Sequence, residues 1–300
     1  METKNKSLKG NIMLMLTALI WGTGFVSQSL GMEYIGPFTF NGVRNIIASL
    51  FLIPCIYFLR FINKEEKKKI SSDEKKYLLK GGIYCGIVLF FASSTQQIGI
   101  QYTSVGKAGF ITALYVIIVP VMGIFMNKKV SAKIWVSMAA AVFGLYLLCI
   151  NEGFSINKGD LLVILCAFLF SVHILVIDSF SPNTDGVKLS CIQFMVCGLI
   201  SIVPSVVLES HLFSDIIRSM GPILYSAVFS SGIAYTLQVV GQKYTSPVIA
   251  SLILSLESVF SAIFGWIILG QSLSTKELIG CIIVFAAIIN AQIPKKIKTK

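Results

Sequence analysis

The sequence predicts an all-α integral membrane protein in which ten transmembrane helices form two inverted five-helix repeats. Three observations carry that expectation: an apolar composition, ten apolar runs of spanning length, and an internal repeat with an odd number of runs in each copy. Of the 300 residues, 55% are apolar and 13% charged, with a mean hydropathy of +0.81. Soluble domains carry about 25% charged residues, and a domain of this size buries at most about 75% of its chain surface. So much apolar surface left in water excludes a cytosolic enzyme, a disordered chain and a secreted disulfide scaffold.

A helix of about 20 apolar residues crosses the ~30 Å hydrocarbon core. Runs bounded by charge, Gly, Pro or Asn fall at 10–30, 37–60, 78–100, 105–126, 133–150, 159–179, 187–208, 220–241, 247–269 and 277–293. The first follows Lys4, Lys6 and Lys9, as a signal peptide would. From Asn11 to Leu30, however, it exceeds the 7–15 residues of a signal core and lacks an A-x-A-like cleavage site, so it reads as a retained helix. The second opens at Pro37 and closes at Arg60, and a basic stretch from Arg60 to Lys80 separates it from the third. The fourth opens at Val105-Gly106-Lys107 and stops before Asn127-Lys128-Lys129; the fifth runs from Lys133 to Ile150, before Asn151. The sixth follows Lys158-Gly159, the seventh follows Asp185-Gly186, and the polar link Glu209–Ser219 leads to the eighth. Pro247 opens the ninth, and the tenth ends before Pro294-Lys295. All seven cysteines (55, 85, 149, 166, 191, 197, 281) fall in these runs without a C-x-x-C pair, which reads as small packing residues rather than a metal or redox site.

Charge then orients the chain. With a cytoplasmic N-terminus, 20 of the 25 Lys and Arg residues lie in cytoplasmic segments. Four (Lys107, Lys158, Arg218 and Lys276) lie on the opposite face and one, Arg44, inside a span. This positive-inside bias predicts a multi-pass plasma-membrane protein with both termini cytoplasmic. The net charge of +11 reads as membrane orientation, with anionic lipid as a contact; nothing in it calls for nucleic acid.

The internal repeat shows between Gln96-Gln97-Ile98-Gly99-Ile100-Gln101-Tyr102-Thr103-Ser104 and Gln238-Val239-Val240-Gly241-Gln242-Lys243-Tyr244-Thr245-Ser246, 142 positions later. Ala108 then pairs with Ala250, Tyr115 with Glu257, and after a one-residue gap Ser131-Ala132-Lys133 with Ser274-Thr275-Lys276. More weakly, Trp21-Gly22 falls over Phe170-Ser171 and Arg44 over Gln193. The expected domains are 1–151 and 152–300, five spans each. An odd number of spans inserts the second copy upside down, the architecture of secondary transporters with a midplane site at the repeat interface.

The chain resembles drug/metabolite transporters with two EamA-type repeats. The resemblance rests on Trp21-Gly22-Thr23-Gly24-Phe25, Pro37-Phe38 with Arg44, Tyr102-Thr103-Ser104 leading to Pro120, Tyr244-Thr245-Ser246, Leu256-Glu257-Ser258-Val259-Phe260 and Leu269-Gly270. It implies ten helices and movement of small metabolites by alternating access. The sequence departs from the family pattern at Ser258, where Pro often follows the glutamate, and at Gln271, where Glu often follows Leu-Gly.

Ionisable groups inside a span cost roughly 2.5–3.5 kcal/mol each on insertion scales, so they are candidates for function. Glu257, in the middle of the ninth span, must be protonated or paired: a proton-coupling group, a counter-charge for a cationic substrate, or half of a structural ion pair with Arg44. Arg44 cannot discharge and needs a carboxylate, carbonyls or a wet cavity. His173 is suited to protonation but, among apolar residues, also reads as a hydrogen-bonded core group. Gln96, Gln97 and Gln238 bond either a substrate or a neighbouring helix, and Trp21 and Tyr115 are candidate cavity aromatics or packing groups. Lys107, beside Gly106 and Gly109, either attracts an anionic group or, the stronger reading, is an interfacial, snorkelling lysine.

Gly22-Thr23-Gly24 lacks the strand and spacing of a dinucleotide fingerprint, and Gly82–Gly86 fits a close-packing G-x-x-x-G. Without H-E-x-x-H, G-x-S-x-G or paired intramembrane aspartates, no hydrolase is expected. Neither is a cofactor or a metal. The expectation is a secondary active transporter for a small metabolite (amino acid, amine or drug-like solute), working by rocking of the two halves. The alternatives are a proton-coupled exporter of cationic drugs and a non-transporting membrane enzyme or scaffold.

Overall fold

The computed structural model describes residues 2–62, 71–103, 105–126, 130–149, 157–210, 212–269 and 274–293. Lys64, Lys67–Lys69, Lys128, Lys129 and the basic tail from Lys295, on which much of the charge count rests, lie outside them. Every regular element among the described residues is helical. The spans are α1 (Glu2–Gly31), α2 (Pro37–Ile62), α3 (Ser72–Ile100), α4 (Val105–Thr112 and Tyr115–Phe125) and α5 (Ala132–Cys149), then α6 (Lys158–Phe180), α7 (Gly186–Leu208), α8 (Met220–Gln242), α9 (Pro247–Leu254 and Leu256–Leu269) and α10 (Thr275–Gln292). Among the described residues, nine have the length and apolarity to cross a membrane, and α5 is a shorter apolar helix. Each coincides with one run read from the sequence, and the protein is a multi-pass membrane protein.

Polar residues begin the helices where the apolar runs begin. Ser71 with Glu74, Asn157 with Asp160, and Ser274 with Glu277 form capping boxes at the starts of α3, α6 and α10, satisfying backbone donors that hydrocarbon could not. α2 starts at Pro37 and is capped from afar. Glu209, just past α7, accepts from the Phe38 and Thr39 amides at 2.8 Å and from the Thr39 hydroxyl at 2.6 Å. A carboxylate on a helix N-terminus is favoured by the backbone dipoles there.

Packing follows a pseudo-two-fold pattern. α1 runs along α8 and onto α9, while its repeat-mate α6 runs along α3 and onto α4. α2 packs on its own mate α7, and α5 on its mate α10. Contacts within a repeat, such as α2 with α3 or α1 with α4, are sparse. The repeats are therefore interlaced, and the packed units are α1–α8–α9 and α3–α4–α6, each drawing helices from both halves of the sequence. Rocking of the sequence halves, the simple expectation, does not fit this packing.

Small residues permit the closeness. A Cβ on Gly10 would lie 2.8 Å from the Gly241 carbonyl oxygen, and one on Gly241 3.0 Å from that of Gly10. The same reciprocal contact joins Gly99 and Gly159, at 3.1 and 2.8 Å, at the opposite end of the molecule. Gly82 and Gly86 bring α3 onto Ile192 and Val196 of α7, the packing role expected of that motif. The six cysteines whose thiols are described are free.

Three spans are irregular at positions where no residue pattern predicts a break. α4 breaks at Ala113-Leu114 and α9 at Ser255, positions that are repeat-mates. Ser226–Tyr235 within α8 is π-helical, a form concentrated at functional sites. α1 exploits the π segment: Thr17 donates to the Ala234 carbonyl at 2.9 Å and Trp21 Nε1 to the Ser230 carbonyl at 3.2 Å.

The two ends of the molecule differ in one respect. At one, Asp160 (1% exposed) receives Lys107 at 2.5 Å and the Thr103 hydroxyl at 2.7 Å. At the other, the mate of Asp160 is Asn11, which accepts from Thr245 at 2.9 Å, and the mate of Lys107 is Ile249. Lys107 is thus half of an ion pair with a buried carboxylate, where the sequence suggested a snorkelling lysine. Lys107→Ile is expected to lower unfolding stability in detergent by about 1–3 kcal/mol, since it strands Asp160, with the loss tempered by partial exposure. Lys107→Ile with Asp160→Asn copies the other end and should restore most of it. Equal stability of the single variant and the native protein would show that the pair contributes nothing.

Candidate functional site

The breaks in α4 and α9 place two half-helices head to head at the centre of the bundle. Tyr115 opens the second half of α4, and Glu257 lies in the first turn of the second half of α9. Their side chains meet: the Tyr115 hydroxyl donates to Glu257 Oε1 at 3.1 Å, both residues buried. These two are repeat-mates. A residue can touch its own mate only on the symmetry axis, so this hydrogen bond marks the pseudo-two-fold.

A cavity of about 40 Å³ lies on that axis. Its walls come in mates: Trp21 with Phe170, Phe25 with Ile174, Gln96 with Gln238, Thr112 with Leu254, and Tyr115 with Glu257. Arg44, Gln28, Ser230 and Tyr235 complete it. The lining thus comes from α1, α3, α4, α6, α8 and α9, with Arg44 reaching in from α2. Its volume admits a water or two, so an organic solute enters only if the packed units part.

Arg44 and Glu257 line the same cavity without pairing. Among the described residues, no salt bridge reaches either. The guanidinium lies 5.3 Å from the Phe40 ring centroid, and its Nε has no hydrogen-bond partner. The ion pair weighed for these two is not formed. Gln96 donates to the Thr112 hydroxyl at 3.3 Å, while Gln28 Oε1 and Gln238 Oε1 have no partner. Trp21 and Tyr235 meet edge to face, 4.5 Å between centroids. The arrangement offers a cation, a carboxyl, unspent amide oxygens and aromatic faces in one small space.

Of the residues singled out from the sequence, Glu257, Arg44, Tyr115, Trp21, Gln96 and Gln238 are brought together here. His173 is not. It is fully buried behind the cavity wall, its Nε2 3.1 Å from Gln193 Oε1. No group of three or more metal-ligating side chains occurs among the described residues. Gln97 lies on the α1–α3 seam, where its amide donates to the Gln28 carbonyl at 3.4 Å. Gln242 makes the corresponding link between α8 and α6, donating to the Ile174 carbonyl at 2.9 Å. These amides join the two packed units on either side of the cavity. Gln242, Phe170, Tyr235 and Gln28 were not singled out from the sequence. Phe170 was within reach, because Trp21 already stood over it in the repeat register.

Residues 8–150 and 157–291 each match the EamA-like transporter family. An uncharacterized transporter of Archaeoglobus fulgidus is 32% identical over 285 residues, 95% of this chain and 86% of that protein. The S-adenosylmethionine/S-adenosylhomocysteine transporter of Chlamydia muridarum is 22% identical over 282 residues, 87% of this chain and 84% of its own. One crystal structure superposes with a TM-score of 0.76 at 14% identity, over 94% of this chain and 96% of the other, a likeness of fold.

Tyr115→Phe removes the donor to a buried carboxyl and is expected to cost about 1–3 kcal/mol of stability. Glu257→Gln keeps an acceptor oxygen in the same place and should unfold within about 1 kcal/mol of the native protein. Thermal or denaturant unfolding in detergent measures both. A Tyr115→Phe protein as stable as the native one would mean that the hydrogen bond is not made in solution.

Proposed function

The chain belongs to the EamA-like transporter family, whose members are transporters and not enzymes, and we propose that it carries a small zwitterion with an apolar portion, an amino acid or amino-acid-bearing metabolite. The proposed path crosses the plasma membrane by alternating access, with both termini cytoplasmic. The observation that carries this reading is the shared cavity of Arg44 and Glu257, a cation and a carboxyl that do not satisfy each other. An α-amino acid supplies a carboxylate for the first and an ammonium for the second, so that each buried charge gains a partner. Trp21, Tyr235 and Phe170 give apolar surface for the remainder of the solute, and Gln96 and Gln238 supply hydrogen bonds. A relative named as a transporter of S-adenosylmethionine and S-adenosylhomocysteine supports this, since both compounds carry an α-amino acid group.

In this mechanism the solute separates α1–α8–α9 from α3–α4–α6 on one side at a time. Opening one face breaks the Gln97 link and opening the other breaks the Gln242 link. The domains 1–151 and 152–300 then act as folding repeats that exchange helices to build the moving units.

A second reading is a proton-coupled exporter of organic cations, in which Glu257 alternates between a proton and the substrate. It draws on the hydrogen bond from Tyr115 to Glu257 Oε1, which among the described residues leaves the other carboxyl oxygen available. Flux in proteoliposomes, with and without a pH gradient, separates the two. Arg44→Gln is expected to reduce flux of carboxylated solutes at least tenfold under the first reading and to leave amine flux intact under the second. Glu257→Gln should sharply reduce flux of the zwitterion under the first reading and abolish gradient-coupled flux under the second. Undiminished coupled flux in that variant would remove Glu257 from the mechanism, and no flux across a panel of amino acids, nucleosides and amines would remove the transport proposal for these classes.

A further inference from the structure

A second cavity, about 420 Å³, lies outside the axial site in a groove between the beginning of α8, the second half of α9 and the later half of α1. Its walls include Val26, Leu30, Pro222, Tyr225 and Phe264. On α1 these positions face away from Trp21, Phe25 and Gln28, so the helix itself separates the groove from the axial cavity. Three of the four hydroxyls in it, those of Thr23, Ser27 and Tyr225, are already used: Thr23 bonds the Ile20 carbonyl at 2.8 Å and the Tyr225 hydroxyl, and Ser27 bonds the Pro222 carbonyl at 2.8 Å and Ser226 at 2.9 Å. A polar ligand would find these groups spent. The groove is also unfilled at its upper end, where a Cβ on Gly221 would meet nothing within 4 Å.

Above the groove sits a cation. Ser219 donates to the Gly31 carbonyl at 3.0 Å, which fixes the start of α8 against the end of α1. The preceding residue, Arg218, ends the short helix Phe213–Arg218 with its side chain 65% exposed. Its carboxylate neighbour Asp215 is a loose 3.9 Å away, and its guanidinium lies 6.0 Å from the Tyr34 ring centroid. A basic group three residues before Gly221, at the end of the groove where α8 starts, matches a charged headgroup with its acyl chain in the apolar slot.

We propose that this groove binds one acyl chain of an anionic phospholipid in the leaflet away from the termini, with the headgroup phosphate on Arg218. The lipid touches α1, α8 and α9 and so braces one of the two packed units. Apolar cavities of this kind hold apolar guests rather than water, and the arginine selects headgroup charge.

Full-length protein purified in detergent, given phosphatidylglycerol or phosphatidylcholine, tests the proposal by native mass spectrometry and thermal unfolding. Retention and a higher midpoint are expected with phosphatidylglycerol above phosphatidylcholine. Gly221→Phe should fill the slot and lose both lipids, while its lipid-free midpoint stays near that of the native protein because the added ring enters open space. Arg218→Gln should lose only the preference between the two headgroups. On the native protein, a phosphatidylglycerol with a photoactivatable group mid-chain should label peptides containing Val26, Leu30 or Phe264. Labelling spread evenly onto α7 positions such as Val203 and Val207, 65% and 73% exposed, would overturn the proposal. So would lipid retention by Gly221→Phe, an equal shift with glycerol phosphate alone, or a dimer that Gly221→Phe disrupts without any change in bound lipid.

Discussion

The hydrogen bond between Tyr115 and Glu257 is the constraint from which the rest of the molecule can be built. It joins two residues that occupy the same place in the two repeats, and such a bond exists only where the repeats cross. For α4 and α9 to cross there, both must interrupt their helices at the bilayer centre, and they do so at the matched positions Ala113-Leu114 and Ser255. Irregular backbone at this depth is tolerated only when protein or a polar cavity surrounds it. The cavity lined by Gln96, Gln238, Thr112 and Arg44 is that surrounding.

The interlacing follows from the same axis. With α4 and α9 crossed, α1 is drawn toward α8 and α9, and α6 toward α3 and α4. Glycines make those pairings close enough to be rigid, at Gly10 with Gly241 and at Gly99 with Gly159. Without a hydrophobic drive between helices in lipid, van der Waals closeness and a few buried hydrogen bonds are what remain to hold them. A buried ion pair at Asp160 and an amide–hydroxyl pair at Asn11 perform the same fastening in chemically different ways.

Much of this was legible in the sequence because lipid allows few options. Ten apolar runs could only be ten helices, and the alignment of Tyr102-Thr103-Ser104 with Tyr244-Thr245-Ser246 fixes the inversion. The same register set Tyr115 over Glu257, although nothing in it said that the two side chains would touch. The helix breaks and the π segment were not legible. Ala113, Leu114 and Ser255 are ordinary helix residues, and their interruption is a tertiary effect of crossing at the axis. His173 illustrates the converse. Its chemistry suggested a function, yet the Gln193 side chain from α7 engages its Nε2 and holds it behind the wall. The pairing of Lys107 was hidden for a related reason, because Asp160 completes the capping box of Asn157 at the start of α6 and serves the lysine as well.

In the alternating-access cycle proposed above, two identical inverted repeats would make the inward-facing and outward-facing forms two-fold-related equivalents of equal energy, with an equilibrium constant of one between them. Every mate pair of differing chemistry lifts that degeneracy. Asp160 opposite Asn11, Arg44 opposite Gln193, and Gln97 opposite Val239 are such pairs. The resting orientation of the carrier is therefore encoded in the differences between its halves, while their likeness provides the machinery that turns over.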